Sequence, residues 1–357
     1  MANRLKVGIV GCGVIASHTH IPIFKRAKNA VIVEAVCDRN ESLARETASK
    51  HKIPKAYFDL SYMLTNENLD IIDICTPPQT HASLAIEAMN HGCHVFMEKP
   101  MALKTSDCDQ MISVSRKRGV NLCVFHNVLF DTPFLKAKKL LANGAIGDFI
   151  GMRIFMSDPR EEMILQKNHW IHKLPGGLIG ETGPHAAYMS LAFLKKVKSV
   201  DVYAKNFLVH PWAPFDEFRI ELEGEEAMSS IAISYASNRR NLYVDILGTE
   251  GVLYLDLQSQ LLIHHGRKET VRPVAFARYS ASITSQLAVG VAANAFGLVT
   301  KRLKFGHNVL IEGFINSILN NDPPPVTPDE GRETVKVMEM VVEKLNEKYG
   351  SQLIRSS

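Results

Sequence analysis

The chain has 357 residues, enough for about two domains, and its 46% hydrophobic and 22% charged residues exclude a disordered chain or a small staple-dependent one. Lys and Arg number 41 against 37 Asp and Glu, a formal charge of +4. The excess is spread along the chain, with 15 basic and 12 acidic residues in 1–125 and 26 and 25 in the remainder, so no basic tail or stripe points to nucleic acid.

Met1–Lys6 leads straight into a strand pattern, with no apolar leader or cleavage site. Short apolar runs at Leu5–Val10, Val31–Cys37, Leu69–Cys75, His94–Glu98 and Asn121–Phe125 read as strands. Glu41–His51, Thr80–His91 and Thr105–Arg118 between them read as helices. Apolar strands separated by crossover helices specify a parallel sheet covered on both faces. All six cysteines (Cys12, Cys37, Cys75, Cys93, Cys108, Cys123) fall in this half, with no C-x-x-C pair and several inside apolar runs. That usage predicts reduced, core-filling thiols and a cytoplasmic location.

The character changes after residue 125. Pro133–Ala142 reads as a helix ended by Asn143-Gly144, and Phe149–Met156 as a strand. Residues 157–179 read as a polar, aromatic and Gly-rich loop over a site. Ser199–Lys205, Glu217–Leu222, Ser229–Tyr235, Leu242–Leu247 and Val252–Leu257 have the spacing of an antiparallel sheet. Residues 283–300 carry no charge and precede Lys301-Arg302-Leu303-Lys304. Their interspersed Thr, Ser, Gln and Asn favour a helix buried in the protein or capping a groove over a membrane span, with an interfacial or partner-facing helix as the next reading. Asn308–Leu319 and Glu330–Lys348 close the chain as helices. The division expected is 1–125 and 126–357, with the last helices packing back on the first domain.

Gly11-Cys12-Gly13-Val14-Ile15-Ala16 follows the first strand and opens a helix, the G-x-G-x-x-A form of the dinucleotide fingerprint. Gly11 permits the tight turn, Gly13 lets the backbone approach a pyrophosphate, and Ala16 lets the helix pack closely on the sheet. Unpaired N–H groups at the helix start favour the phosphate charge. Asp38 ends the second strand 22 residues after Ala16, where an acid accepts from both ribose hydroxyls and repels a 2′-phosphate. This predicts NAD, with NADP left open by Arg39, whose guanidinium can stack on adenine or reach a phosphate.

Three further motifs accompany the fingerprint: Thr76-Pro77-Pro78-Gln79-Thr80-His81, Gly92-Cys93-His94-Val95-Phe96-Met97-Glu98-Lys99-Pro100, and Gly176-Gly177-Leu178-Ile179-Gly180-Glu181-Thr182-Gly183-Pro184-His185. In order and spacing, from residue 5 to about 190 and more loosely to 345, the chain resembles the Gfo/Idh/MocA family of NAD(P)-dependent oxidoreductases. The resemblance implies a Rossmann domain followed by an α/β domain with an open, mostly antiparallel sheet. It also implies a site between them at the carboxyl ends of the parallel strands, and a homo-oligomer, dimer or tetramer, often formed through the open sheet face.

The candidate chemistry follows residue by residue. Lys99, at the carboxyl end of its strand, can hydrogen-bond a substrate hydroxyl and stabilise negative charge as hydride leaves. An imidazole titrates near neutral pH, so His185 suits removal of a hydroxyl proton. Glu181 lies four residues earlier on the same helical face and can orient the imidazole or bind a substrate hydroxyl. By resemblance, Glu98 holds the nicotinamide ribose, the Lys99–Pro100 bond is cis, Thr76, Pro77 and His81 border the cofactor, and Asn127 lines the cleft. The family usually has Asp at positions 181 and 188, where this chain has Glu181 and Tyr188.

Arg153, Arg160, Asn168, His169, Trp170 and His172 complete the substrate candidates, the arginines suiting phosphate or carboxylate. A zinc site from His169, His172 and His185 is rejected for want of a completing ligand set. The reading is therefore a dehydrogenase acting on a secondary alcohol of a sugar, polyol or nucleotide-sugar. The alternatives are an NAD-dependent glycoside hydrolase using transient oxidation, and a cofactor-bound regulatory protein without the chemistry.

Overall fold

The computed structural model describes residues 4–158, 162–210, 212–266, 273–300 and 303–353. The chain forms two compact units, one of residues 1–127 and 307–336, the other of 128–306 and 337–357.

The first unit is built on six strands, β1 (Leu5–Val10), β2 (Val31–Cys37), β3 (Lys55–Tyr57), β4 (Ile71–Ile74), β5 (His94–Met97) and β6 (Leu122–Val124). Every pairing is parallel, in the order β3-β2-β1-β4-β5-β6. This is the doubly wound order of dinucleotide-binding folds, with its switch point beside β1. The connections are a five-residue π-helix Ala16–His20 running into α1 (Ile21–Arg26), then α2 (Glu41–His51), α3 (Leu60–Asn66), α4 (His81–Asn90) and α5 (Thr105–Arg118). Val7, Ile9, Ile72, Ile74, Val95 and Phe96 have no exposed surface. Each such side chain contributes about 1.5–3 kcal/mol on burial.

In the second unit the helices are α6 (Thr132–Ala142), α7 (Glu162–Leu165), α8 (Ile179–Leu194) and α9 (Pro273–Val299). Its strands are β7 (Phe149–Ser157), β8 (Ser199–Lys205), β9 (Glu217–Glu223), β10 (Met228–Ser234), β11 (Asn241–Gly248), β12 (Gly251–Asp256) and β13 (Leu261–His265). They form one sheet in the order β13-β12-β11-β7-β10-β9-β8, antiparallel except where β7 meets β10. Along β7, Met152, Ile154 and Met156 are buried on the face covered by α8, while Arg153 and Phe155 point to the open face. Two further helices follow. The first, α10 (Gly306–Asn320), belongs almost wholly to the first unit, and α11 (Pro328–Leu353) contributes residues to both.

The expected strands and helices are present, most within a residue or two of their expected ends. β3, α3 and β13 were not anticipated. The region 157–179 holds α7 and a 3₁₀ turn, Trp170–Lys173, in place of an uninterrupted loop. One expectation is corrected outright. The uncharged 283–300 stretch is helical but not buried: only Gly297 of α9 is inside the protein, because the helix rests on β13 along a single narrow stripe.

Candidate active site

The loops at the carboxyl ends of β1, β2, β4 and β5 gather most of the first unit's candidates. Gly11 has φ +91°, and a Cβ there would lie 2.8 Å from the Cys75 carbonyl carbon and oxygen, so the turn closes only on glycine. The Cys12 N–H donates to Asp38 Oδ2 at 2.8 Å, and the Asn40 N–H donates to Asp38 Oδ1 at 2.8 Å. Asp38 therefore anchors the fingerprint turn as well as ending β2. Ala16 is fully buried, as close helix packing requires.

Around Gly13 there is open space: a Cβ would meet no atom within 4 Å, and Val14 beside it is 75% exposed. A glycine-lined opening at the start of a helical segment, with a carboxylate at the end of the next strand, fits a dinucleotide. Arg39 is exposed beside Asp38, and the Thr80 hydroxyl donates to the Thr76 hydroxyl at 2.8 Å beside Pro77.

Behind these loops lies a charged cluster absent from the sequence reading. His20 is fully buried, with Nδ1 3.0 Å from both carboxylate oxygens of Asp73 and Nε2 3.2 Å from Glu98 Oε1. Burial opposes the imidazolium, but Asp73 and Cys75 outweigh it and hold His20 well above its ordinary value. Burial likewise works against the Glu98 carboxylate, yet His20 and then Lys99 hold it below the usual range. A cation thus sits between two buried anions. Cys75 Sγ lies 3.4 Å from His20 Nδ1, and burial pushes its thiol far up. Among the described residues, His20, Asp73 and Cys75 are close enough to share an ion. A protonated thiol and an imidazole committed on both nitrogens make this an ion-pair cluster instead. Its sequence signal was available: Asp73 is an acid inside the otherwise apolar, wholly buried β4.

The cluster reaches the predicted chemistry through Glu98, whose Oε2 accepts from the Lys99 N–H at 3.1 Å. Half-buried Lys99 lies two residues beyond the end of β5, and the Lys99–Pro100 bond is cis, as the resemblance implies. His81 has no exposed surface. Its ring nitrogens lie 3.0 Å from the Pro100 carbonyl and 2.8 Å from the Thr76 carbonyl. It therefore braces the two loops against each other. Asn127 is buried, with Nδ2 3.2 Å from His307 Nε2.

In the second unit His185 and Glu181 are both half-buried in the N-terminal half of α8. His185 Nδ1 lies 2.6 Å from the Tyr188 hydroxyl, which also accepts from the Val128 N–H at 3.4 Å. The imidazole is thus oriented by the tyrosine that stands where the family usually has Asp. Arg153 points to the open face of the sheet, where Nη2 pairs with Asp245 Oδ2 at 3.0 Å, while α8 covers the opposite face. Alternation along β7 separates it from His185. Half-buried Trp170 packs near His169, which caps the 3₁₀ turn by accepting from the Ile171 N–H. His172 Nε2 lies 3.2 Å from the Ile164 carbonyl. Asn168 is exposed, and Arg160 lies outside the described residues.

Comparison with known proteins agrees with both units. Residues 5–126 match the oxidoreductase family with an NAD-binding Rossmann fold, and residues 134–254 match the GFO/IDH/MocA C-terminal domain. A myo-inositol 2-dehydrogenase of Thermotoga maritima is 34% identical over 155 residues, 43% of this chain and 46% of that protein. A D-apiose dehydrogenase of Paraburkholderia graminis is 27% identical over 269 residues, 74% of this chain and 70% of that one. Oxidoreductase P35 of Formosa agariphila is 27% identical over 206 residues, 56% of this chain and 64% of that one. Against several such relatives, therefore, the chain spans about half to two thirds of their length. Among solved structures, the WlbA dehydrogenase of Bordetella pertussis in complex with NADH and UDP-GlcNAcA has a TM-score of 0.80 at 20% identity, over 97% of each chain. Matched in sequence over both domains and in fold along nearly its whole length, the chain belongs to the Gfo/Idh/MocA family of oxidoreductases.

Proposed function

We propose that this protein is an NAD(H)-dependent dehydrogenase acting on a secondary alcohol of a sugar, polyol or nucleotide-activated sugar. The observation that carries the reading is the His185–Tyr188 pair, an imidazole held at 2.6 Å by a buried phenol. A general base works only when its ring is oriented. Named relatives and neighbours support the substrate class: inositol 2-dehydrogenases, a D-apiose dehydrogenase, and structures described with UDP-GlcNAcA or as a UDP-N-acetylglucosamine 3-dehydrogenase.

The bound nicotinamide supplies the hydride acceptor in one direction and the donor in the other. Gly11, Gly13 and Asp38 hold the dinucleotide, with Asp38 favouring NAD over NADP by repelling a 2′-phosphate. Lys99 stabilises the alkoxide that forms as the hydroxyl proton leaves and from which hydride then departs. Its backbone is fixed by Glu98, which His20 holds in turn. His185 takes the hydroxyl proton, Tyr188 fixes its ring, and Glu181 binds a neighbouring substrate hydroxyl. Six buried free thiols support a reducing, cytoplasmic setting. A homo-oligomer formed through the open sheet face completes the reading, supported by the stacked Phe155, Tyr243 and Tyr254 rings there.

The test is the near-ultraviolet absorbance of reduced nicotinamide, with NAD and NADP offered separately against polyols, aldoses and nucleotide sugars. Turnover that disappears in Lys99→Ala and His185→Asn supports the reading. Silence across the panel from protein that binds the cofactor overturns it. Aglycone release with no net reduction would assign the transient-oxidation hydrolase instead.

A further inference from the structure

The described residues include one helix long and apolar enough to cross a membrane by length and composition, α9. It lies beyond both matched family regions, which end at residue 254. From Leu287 onward its amphipathicity is inverted, while Arg278, Ser280, Ser282, Thr284 and Ser285 stand exposed on the preceding turns. The stripe facing β13 carries the polar groups: the Gln286 carboxamide exchanges hydrogen bonds with the backbone of His264, and Asn294 Nδ2 donates to the carbonyls of Ser259 and Gln260. Gly290 permits the close approach, since a Cβ there would meet Leu261 at 2.7 Å. The apolar side chains point away from the protein, with Phe276, Val289, Val291, Phe296, Leu298 and Val299 between 57% and 85% exposed.

Outward apolar surface of this helix is on the order of several hundred Å², at or above the largest patch of a typical monomer. We propose that α9 seats this protein on an anionic bilayer surface, the helix lying in the interfacial plane with its outward side among the acyl chains. Two features select a bilayer over a second copy of the chain. A packed protein partner covers a stripe of roughly 100° on a helix. Here apolar residues at successive positions from Leu287 to Val299 leave every direction not facing β13 without a polar side chain. Lipid solvates a whole cylinder in that way.

The second feature is charge. No acidic residue stands between Glu269 and Glu312, while Arg272, Arg278, Lys301, Arg302 and Lys304 all fall in that interval. Basic residues within and flanking an apolar helix in the sequence match anionic headgroups. The bonds from Gln286 and Asn294 to the sheet edge keep α9 lying on its domain and hold it parallel to the surface instead of across the bilayer.

The full-length protein is sedimented with vesicles of phosphatidylglycerol and phosphatidylcholine, and with phosphatidylcholine alone. The expected result is binding to the anionic vesicles that weakens with salt, falls about tenfold or more in a Val289→Gln, Val291→Gln, Phe296→Gln variant, and falls in Arg278→Gln, Lys304→Gln. The triple variant changes exposed positions only, and an unchanged circular dichroism melt verifies its fold. Failure to bind anionic vesicles overturns the proposal, as does equal binding by the triple variant or by neutral vesicles. A solution mass by light scattering that drops in the triple variant would overturn it too, by showing that a second copy covers the helix.

Discussion

Replacing His20 by leucine removes the cation from between Asp73 and Glu98 while keeping a side chain of similar bulk. Asp73 has no exposed surface and Glu98 only 8%, so water cannot take the imidazole's place. Breaking a buried ion pair by deleting one partner costs about 3–5 kcal/mol. At about 2–4 °C per kcal/mol for a domain of this size, the melt by circular dichroism should fall by about 10 °C.

The pH dependence identifies the cause. His20 is raised in the folded protein, so its contribution is fully present below its unfolded value near 6.5 and is lost as pH climbs toward the folded one. Glu98 is lowered, so its contribution is present above its unfolded value near 4.5 and is lost as pH falls through the folded one. In the variant, Glu98 keeps its burial without its cation and takes up a proton. The variant thereby loses stability with rising pH from about 4.5, until that raised value is passed. The deficit should therefore be greatest near pH 6.5 to 7 and shrink on either side. A melt within about 2 °C of the parent at pH 6.5, or a deficit independent of pH, would refute the ion-pair account.

Four further outcomes follow from the geometry. Gly11→Ala forces a Cβ to within 2.8 Å of the Cys75 backbone at positive φ, and should cost about 1–3 kcal/mol and abolish NADH binding followed by nicotinamide fluorescence. Asp38→Ser removes the repulsion of a 2′-phosphate and should move the NADH-to-NADPH affinity ratio toward NADPH; an unmoved ratio assigns Asp38 to the turn alone. Tyr188→Phe deletes the bond to His185 Nδ1 and should lower turnover about tenfold and shift the pH–rate profile, with cofactor affinity unchanged in a fluorescence titration. Burial raises Asp131 to about 6, against the opposing Gly306 N–H, so stability from this residue declines as pH rises from about 4 to 6. Asp131→Asn should flatten that slope in urea titrations and stabilise the protein at pH 7 by about 1–2 kcal/mol.

Where one element's pattern sufficed, the sequence was readable. β1, β2, α2, α5 and β8 have the bounds their periodicity implies, and the fingerprint turn is glycine-dependent because Gly11 meets a carbonyl. The strands and helices missed were of a different kind. β3 is three residues at a sheet edge with one exposed and two half-buried side chains, and β13 owes its strand state to pairing with β12. Propensity over three to five residues cannot compete with such tertiary context.

The site divides along the same line. The places of some residues were legible from local pattern: Gly11 in its turn, Lys99 just beyond β5, His185 near the start of α8. Local pattern does not show what a side chain meets at long range. Composition does not say which face of β7 Arg153 takes, and the strand's own alternation sends it to Asp245. The motif that holds His81 does not reveal that two backbone carbonyls lie against its ring. His20 was overlooked because its partners lie 53 and 78 residues away. An acid inside an apolar parallel strand nevertheless carries a deducible requirement, since burying Asp73 without a cation would cost several kcal/mol. A buried cation is one way to meet that requirement, and only the folded chain shows that His20 supplies it and that the same imidazole also holds the carboxylate beside Lys99.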